Sequence, residues 1–343
     1  MKLCATLPDG TPVHSHVLTD GRVSCEILTY GAILRTLTVP DRNGKLRDVV
    51  LGFDSAEKYI PFRTFFGAIV GRFANRIGGS SFELNGKRYD LPANEGANQL
   101  HSGPEGFDCM VWDAVAYDDS SITLKVTSPD GQGGFPGKLD MQVRYTLADG
   151  ELAIEYEGVS DADTLCNPTN HAYFNLSGQD SGSVEKQIIQ LFASHYTPTD
   201  AFLIPTGEIA PVEGTPMDLR QPIAIGERID DDFPALNGPG GYDHNWAIDG
   251  ESGNFRIGAE AYSPESGIVM TMYTDRPAVQ FYTGNGLGMG IIGKDGAEYV
   301  RRCGFCLETQ TFPDAPNHAN FPTAVLPAGE KFYSKTSYKF GIR

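Results

Sequence analysis

Apolar and polar residues alternate at every second position in several stretches of this chain. The pattern runs through LDMQVRYT at 139–146, ITLKVT at 122–127 and LAIEYE at 152–157. A period of two is typical of strands with one buried and one solvated face, whereas an amphipathic helix has a period of 3.6. Asp149-Gly150 lies between two of these runs and is a strong signal for a hairpin turn. Residues 121–160 are therefore predicted to form an antiparallel meander.

The same pattern recurs along the rest of the chain. Further strand-like segments lie at 23–39, 82–89, 267–273 and 278–282. Glycine (40) and proline (22) are more frequent than in average proteins, as many turns require. Helices are expected only at 55–60 and 222–229. Because no repeat and no linker interrupts the pattern, we expect one all-β domain over residues 1–343, a large antiparallel β-sandwich.

The charge of the chain limits its partners. There are 27 Lys+Arg and 44 Asp+Glu residues, which give a net charge of −17. Such an excess repels phosphate backbones and anionic bilayers, so we expect no nucleic acid and no membrane as a partner. The first residues lack the apolar core of a signal peptide, and no run approaches the ~18 apolar residues of a membrane-spanning helix. These features predict a cytoplasmic protein.

Six cysteines are expected to be free thiols in that reducing compartment. Cys303-Gly304-Phe305-Cys306 is a CxxC motif, which could bind zinc or act in redox chemistry. No second CxxC supplies another ligand pair, and residues three apart on a strand point to opposite faces. Two buried or half-buried thiols are the favoured interpretation.

Five polar clusters contain side chains that solubility does not require; they lie at 71–77, 94–103, 167–178, 241–246 and 307–316. In the third, His171 could give or take a proton near neutral pH, or it could be a buried structural histidine. In the last, Glu308 follows an apolar strand and is either a half-buried base with a raised pKa or a solvated strand end. The first, second and fourth clusters could equally be a surface arginine pair, a solvated turn and a packed turn.

Motifs for metals and cofactors are missing from the sequence. His14 and His16 have no paired ligands nearby, and the chain contains no HExxH, no P-loop and no dinucleotide fingerprint after a strand. We expect no metal and no cofactor.

Taken together, the motifs resemble those of the aldose 1-epimerase family, the galactose mutarotases. The resemblance extends from about residue 20 to the end of the chain and keeps the family's order. Its motifs are Ala74-Asn75-Arg76-Ile77, Leu100-His101, Gly134-Phe135-Pro136-Gly137, Asn170-His171-Ala172-Tyr173-Phe174-Asn175-Leu176, Tyr242-Asp243-His244 and Leu307-Glu308-Thr309-Gln310. Many members have two glycines after the loop histidine, whereas here Ser102 precedes Gly103, which is expected to alter the loop near the sugar.

The resemblance implies a large antiparallel β-sandwich with an open sugar cleft, and an isomerase that interconverts the α and β anomers of free hexoses such as galactose and glucose. It implies that Glu308 is the general base at the anomeric hydroxyl and that His171 is the general acid at the ring oxygen. It also implies a set of residues that bind the sugar's oxygens, namely Asn75, Arg76, His101, Tyr173, Asp243 and Gln280. A small sugar is the expected partner, and the chain is expected to be a monomer.

Three other functions stay open at this point. A glycoside hydrolase would use two carboxylates, such as Glu308 and Asp243. A sugar-binding regulator would keep the cleft without turnover. An epimerase of phosphorylated hexoses would need a local basic pocket to overcome the acidic net charge.

Overall fold

A computed structural model describes residues 1–288 and 290–343 and shows a β-rich chain. The strands begin with β1 (Lys2–Thr6), β2 (Pro12–Thr19), β3 (Ser24–Leu28), β4 (Leu34–Pro40), β5 (Leu46–Asp48), β6 (Ile69–Val70), β7 (Arg76–Ile77), β8 (Ser81–Leu84), β9 (Lys87–Asp90) and β10 (Gln99–Leu100). They continue with β11 (Asp113–Tyr117), β12 (Ser121–Ser128), β13 (Leu139–Ala148), β14 (Glu151–Ser160), β15 (Thr164–Leu165), β16 (Thr169–Asn170), β17 (Tyr173–Phe174), β18 (Ile188–Leu191), β19 (His195–Thr197) and β20 (Ala210–Pro211). The remaining strands are β21 (Ile223–Ala224), β22 (Asp243–Ala247), β23 (Arg256–Tyr262), β24 (Ile268–Thr274), β25 (Ala278–Tyr282), β26 (Ile291–Ile292), β27 (Glu298–Tyr299), β28 (Phe305–Gln310), β29 (Val325–Leu326) and β30 (Lys331–Ile342).

Helical structure is limited to single turns. The one α-helix described is α1 (Pro234–Asn237), which the sequence analysis did not predict. The 3₁₀ turns are Ala56–Tyr59, Gly78–Ser80, Gly103–Glu105, Phe107–Cys109, Gln132–Gly134, Ile225–Glu227, Lys294–Gly296 and Ala315–Asn317. Both segments expected to be helical therefore contain only a 3₁₀ turn. Within the described ranges, no helix has the length and apolar character needed to cross a membrane.

Three large sheets contain most of the strands. The nine-stranded sheet has the order β11-β12-β13-β14-β30-β24-β23-β18-β21, the six-stranded sheet β17-β28-β25-β22-β19-β20, and the five-stranded sheet β1 to β5. All of their pairings are antiparallel. The predicted all-β class with large antiparallel sheets is confirmed.

The predicted meander and hairpins are present. β12, β13 and β14 pair in continuous register, and Asp149-Gly150 turns the chain with φ of 51° and 72° at its two residues. Asn85-Gly86 joins β8 to β9 with the same signs of φ. Positive φ at both turn residues matches the right-handed twist of the strands and explains why Asn or Asp followed by Gly is used. The free Cys303 and Cys306 are both buried, as favoured above.

One apolar core joins the inner faces of the three sheets. Val143 and Tyr338 of the nine-stranded sheet, Phe281 and Phe305 of the six-stranded sheet, and Leu37 of the five-stranded sheet belong to the same cluster of buried side chains. Each such side chain contributes about 1.5–3 kcal/mol through its removal from water. The core fixes one face of the six-stranded sheet, so the other face is free to carry polar residues.

Candidate active site

The outer face of the six-stranded sheet is polar because its strands alternate strictly. In β28, Phe305 and Leu307 point into the core, so Cys306, Glu308 and Gln310 point the other way. Glu308 is directly opposite Gln280 of β25, and Asp243 of β22 is opposite Tyr282. Tyr173 of β17 is opposite Cys306. Residues that are opposite each other share a face, so the chemistry-bearing side chains of four strands come together.

This polar face forms the floor of an open cavity of ≈ 330 Å³. Loops that include β7, β10 and the segment around Phe65 form its walls. The lining residues are Phe65, Asn75, Arg76, Glu95, Leu100, His101, His171, Tyr173, Leu203, Pro239, Asp243, Tyr282, Asn285, Gly286 and Glu308. The cavity has the size and mixed polarity of a small-molecule site.

His171 and Glu308 face each other at the bottom of the cavity. His171 Nε2 lies 3.7 Å from Glu308 Oε1, and both residues are buried. Among the described residues, Glu308 Oε2 has no hydrogen-bond partner. On the other side of the imidazole, Nδ1 of His171 lies 3.5 Å from Cys306 Sγ. The Nε2 atom is therefore the one that points toward Glu308 and the open space.

Burial shifts the pKa values of Glu308 and His171 in opposite directions. The pKa of Glu308 is well above its ordinary value, first because the carboxylate is desolvated and second because Asp243 is nearby. Arg76 opposes that shift. Burial lowers the pKa of His171 to about 4. Both shifts favour the uncharged forms, which are a protonated carboxyl on Glu308 and a neutral imidazole on His171.

His101 is fixed as a hydrogen-bond donor. Its Nδ1 accepts the backbone N–H of Asn75 at 3.0 Å, while its own backbone N–H donates to the Asn75 carbonyl at 3.1 Å. The neutral imidazole must therefore carry its proton on Nε2. Burial, followed by the nearby His171 and Arg76, lowers the pKa of His101 well below its usual range, which keeps it neutral.

Ser102 anchors the loop that holds His101. Its hydroxyl accepts the backbone N–H of Phe73 at 2.8 Å and donates to the carbonyl of the same residue at 3.1 Å. These two hydrogen bonds tie the histidine loop to the segment before Asn75. Ser102 itself is buried and is not among the residues that line the cavity.

His101, His171 and Glu308 also form a possible metal-ligand group. Their ligand atoms lie within 4.8 Å of one another. A metal on His101 Nε2 would force the proton to Nδ1, against the N–H of Asn75 that Nδ1 now accepts. This tautomer conflict makes the group a poor metal site.

Arg76 and Asp243 complete the charged part of the cavity. Arg76 donates from Nε and Nη2 to Glu95, at 2.6 and 2.8 Å. Asp243 accepts the side-chain amide of Gln280 at 2.7 Å, and burial raises its pKa despite the opposing effects of Arg76 and Gln280. A buried guanidinium and several amide and imidazole donors can bind hydroxyl oxygens and stabilise negative charge on them.

The chain matches the family model described as aldose 1-epimerase over residues 14–339. That match covers nearly all of the sequence and includes every residue of the cavity. The chain belongs to the aldose 1-epimerase family.

Full-length relatives agree with this assignment. A galactose mutarotase of Bos taurus is 42% identical over 330 residues, which are 96% of this chain and 94% of the relative. An aldose 1-epimerase of Escherichia coli K12 is 35% identical over 98% of this chain and 97% of its own length. A solved galactose 1-epimerase from Lactobacillus acidophilus has 28% identity and a TM-score of 0.87, covering 99% of this chain and 98% of that one.

These findings confirm the predicted family, its all-β fold and the isomerase class. Epimerisation at carbon 1 of an aldose is the interconversion of its α and β anomers, and the predicted activity is confirmed at that level.

Most residues predicted from the sequence meet in the cavity. Its walls contain Asn75, Arg76, His101, His171, Tyr173, Asp243 and Glu308. Gln280 does not appear among the lining residues; it lies behind Asp243 and donates to it.

Arg72 is also buried, where it donates to Ser128 and to the carbonyls of Pro129 and Pro136. The interpretation of Arg72 and Arg76 as a surface pair is therefore wrong.

Several residues that line the cavity were not predicted from the sequence. Phe65 stacks on His171 with ring centroids 5.6 Å apart, and Glu95 pairs with Arg76. Tyr282 could have been predicted from the alternation of side chains along a strand, because it lies two residues after Gln280 and therefore on the same face. Asn285 lies in a loop whose conformation no sequence signal indicated.

Proposed function

We propose that this enzyme interconverts the α and β anomers of free hexoses such as galactose and glucose by acid/base ring opening in the cavity. The observation that carries the proposal is the buried pair of Glu308 and His171, whose facing atoms are 3.7 Å apart. A cyclic hemiacetal presents two oxygens on one carbon, and a pair of proton-exchanging groups at this spacing can serve both.

In the proposed reaction the protonated imidazole and the ionised carboxylate act on the bound ring. Glu308 removes the proton of the anomeric hydroxyl while His171 delivers a proton to the ring oxygen, and the C1–O5 bond breaks. The sugar is then an open aldehyde, Glu308 is protonated and His171 is neutral. Rotation about C1–C2 exposes the other face, and closure returns both protons by the reverse transfers.

The pKa shifts suit the middle of this cycle. Desolvation favours the protonated carboxyl and the neutral imidazole, which is the state that accompanies the open-chain aldehyde. The cyclic-sugar state differs from it by one proton moved within the pair. No electron is transferred and no proton is lost to solvent, so the scheme needs no cofactor and no metal.

The other cavity residues are proposed to hold the sugar. The Nε2–H of His101 and the guanidinium of Arg76 donate toward oxygens where negative charge develops. Asn75, Tyr173 and Asp243 bind hydroxyl groups, and Gln280 acts on the sugar through Asp243. The three carboxylates against one guanidinium disfavour a phosphorylated hexose, which supports a neutral sugar as substrate.

Polarimetry tests the proposal directly. Freshly dissolved α-galactose and α-glucose should reach their equilibrium rotation faster with enzyme, after subtraction of the uncatalysed rate. Hydrolysis of a nitrophenyl galactoside without any effect on free galactose would instead support the glycosidase alternative. Binding of galactose without acceleration would support the regulator.

A further inference from the structure

The guanidinium of Arg76 is buried in the middle of three carboxylates. Glu95 pairs with it directly, and Asp243 and Glu308 act on it through their charges. A single arginine cannot satisfy all three. Because Arg76 pairs with Glu95, Glu308 has no ion pair with it.

Glu95 takes the arginine in a two-pronged ion pair. Its two oxygens accept Nε at 2.6 Å and Nη2 at 2.8 Å, a geometry that fixes both the position and the plane of the guanidinium. Within the described part of the chain, Nη1 makes no hydrogen bond, and Arg76 lines the cavity. Nη1 is therefore a donor that a molecule bound in the cavity can use.

The backbone holds the two residues in this relation. Arg76 in β7 pairs with Leu100 in β10, and the turn before β10 is closed by reciprocal backbone hydrogen bonds between Glu95 and Asn98, at 3.1 and 3.0 Å. Gly96 has a φ of 61°, which the turn requires. Glu95 and Arg76 therefore sit on one small frame at the mouth of the cavity.

We propose that Glu95 is a positioning residue, which holds Arg76 away from Glu308 and Asp243 so that Glu308 stays an unpaired base and Nη1 stays free for the sugar. The proposal rests on the proposed acid/base function of Glu308. Without Glu95, Asp243 and Glu308 are the carboxylates that remain near the guanidinium among the described residues, and an ion pair with either one would occupy groups that the sugar needs.

The negative charge of Glu95 also changes the pKa values of neighbouring carboxyl groups in a known direction. It raises the pKa of Asp243, and Arg76 lowers the pKa of Glu308. Loss of Glu95 removes a negative charge and leaves the positive charge of Arg76 unpaired. Both changes should lower the pKa values of Asp243 and Glu308. The other titratable groups near Glu308 are His101, His171, Tyr173, Asp243, Tyr282, Cys306 and Tyr338.

The test compares Glu95→Gln with Glu95→Asp in the full chain. We expect E95Q to lose at least tenfold in kcat/KM for galactose at neutral pH, mainly through KM. Its background-corrected pH profile of kcat/KM should move to lower pH by at least half a unit. E95D keeps the negative charge, so its pH profile should stay near that of the wild type. Its side chain is one methylene shorter and holds Arg76 less well, so its KM should be higher than that of the wild type.

Glu185→Gln is a control outside the cavity, at a pair of similar exposure. Glu185 pairs with Arg302 at 2.7 Å, and the side-chain exposures of 38% and 8% nearly equal the 37% and 9% of Glu95 and Arg76, although Arg302 also pairs with Asp230. E185Q should leave the pH profile in place. The inference would be overturned if the pH profile of E95Q matched that of the wild type, whatever the loss of rate. An equal shift of the pH profile in E185Q would also overturn it. Absence of any wild-type activity on galactose would instead refute the proposed function.

Discussion

Replacing Glu308 with glutamine should abolish most of the activity and at the same time stabilise the fold. The carboxyl is buried, and one of its oxygens has no hydrogen-bond partner among the described residues. Glutamine has nearly the same shape and can neither take the anomeric proton nor become charged. Loss of a general base costs about 10²–10⁴-fold in kcat.

The stability gain can be worked out from the ionisation of the buried carboxyl. Glutamine keeps two buried polar atoms, so the gain comes from the charge that it cannot acquire, and it amounts to about 1.4 kcal/mol for each pH unit between the unfolded and the folded pKa of Glu308. At about 2.1 cal/mol/K per residue, the 343 residues have an unfolding entropy of about 0.7 kcal/mol/K. The free energy of unfolding therefore converts to Tm at about 1.4 °C per kcal/mol, and the Tm of E308Q should rise above that of the wild type by about 2 °C for each pH unit in that window.

The gain should grow with pH. The folded pKa of Glu308 lies above its ordinary 4.5, so between these values the folded protein keeps a proton that the unfolded chain has released. Wild-type stability decreases as pH rises through that window, and E308Q lacks this dependence. Calorimetry from pH 5 to pH 9, together with polarimetry, measures both effects. If the Tm of E308Q were at or below that of the wild type throughout this range, the claim that Glu308 destabilises the fold would be refuted.

Three other variants separate the roles of neighbouring groups. His171→Asn should reduce kcat about 10²–10⁴-fold with little change in KM, because it removes the acid but keeps a polar group; polarimetry at several galactose concentrations decides this. Gln280→Leu should raise KM about tenfold, since Asp243 loses the amide that orients it and its pKa rises further; unchanged KM would mean that Asp243 holds its place alone. Arg72→Met should destabilise the protein by about 1–3 kcal/mol in urea unfolding, because it leaves the buried carbonyl of Pro136 without a donor. The same variant should keep its pH profile, since Arg72 does not line the cavity.

The strands were largely predictable because their signals are local. Alternation and the Asp149-Gly150 turn indicated the meander, and the observed register follows that pattern. The roles of His171 and Glu308 could not be derived in this way, because their 3.7 Å approach joins residues far apart in the chain. Only the resemblance to a family brought them together before the structure did.

Burial was the least predictable property of the polar residues. Arg72 and Arg76 are four residues apart in a polar, glycine-rich segment, which suggests a surface. Their burial depends on acceptors from distant segments, such as the carbonyl of Pro136 for Arg72 and the carboxylate of Glu95 for Arg76. A hydrogen-bonding partner that is remote in sequence leaves no local pattern.

The position of β30 in the nine-stranded sheet has a consequence for folding. β30 lies between β14 and β24, and its Lys339 pairs with both Glu151 and Thr271. Until residues 331–342 are available, two long strands expose unpaired edges to any other chain nearby. Contacts of such large sequence separation slow folding. We therefore expect refolding from urea to be slow and its yield to fall with protein concentration, and chains truncated before Lys331 should aggregate.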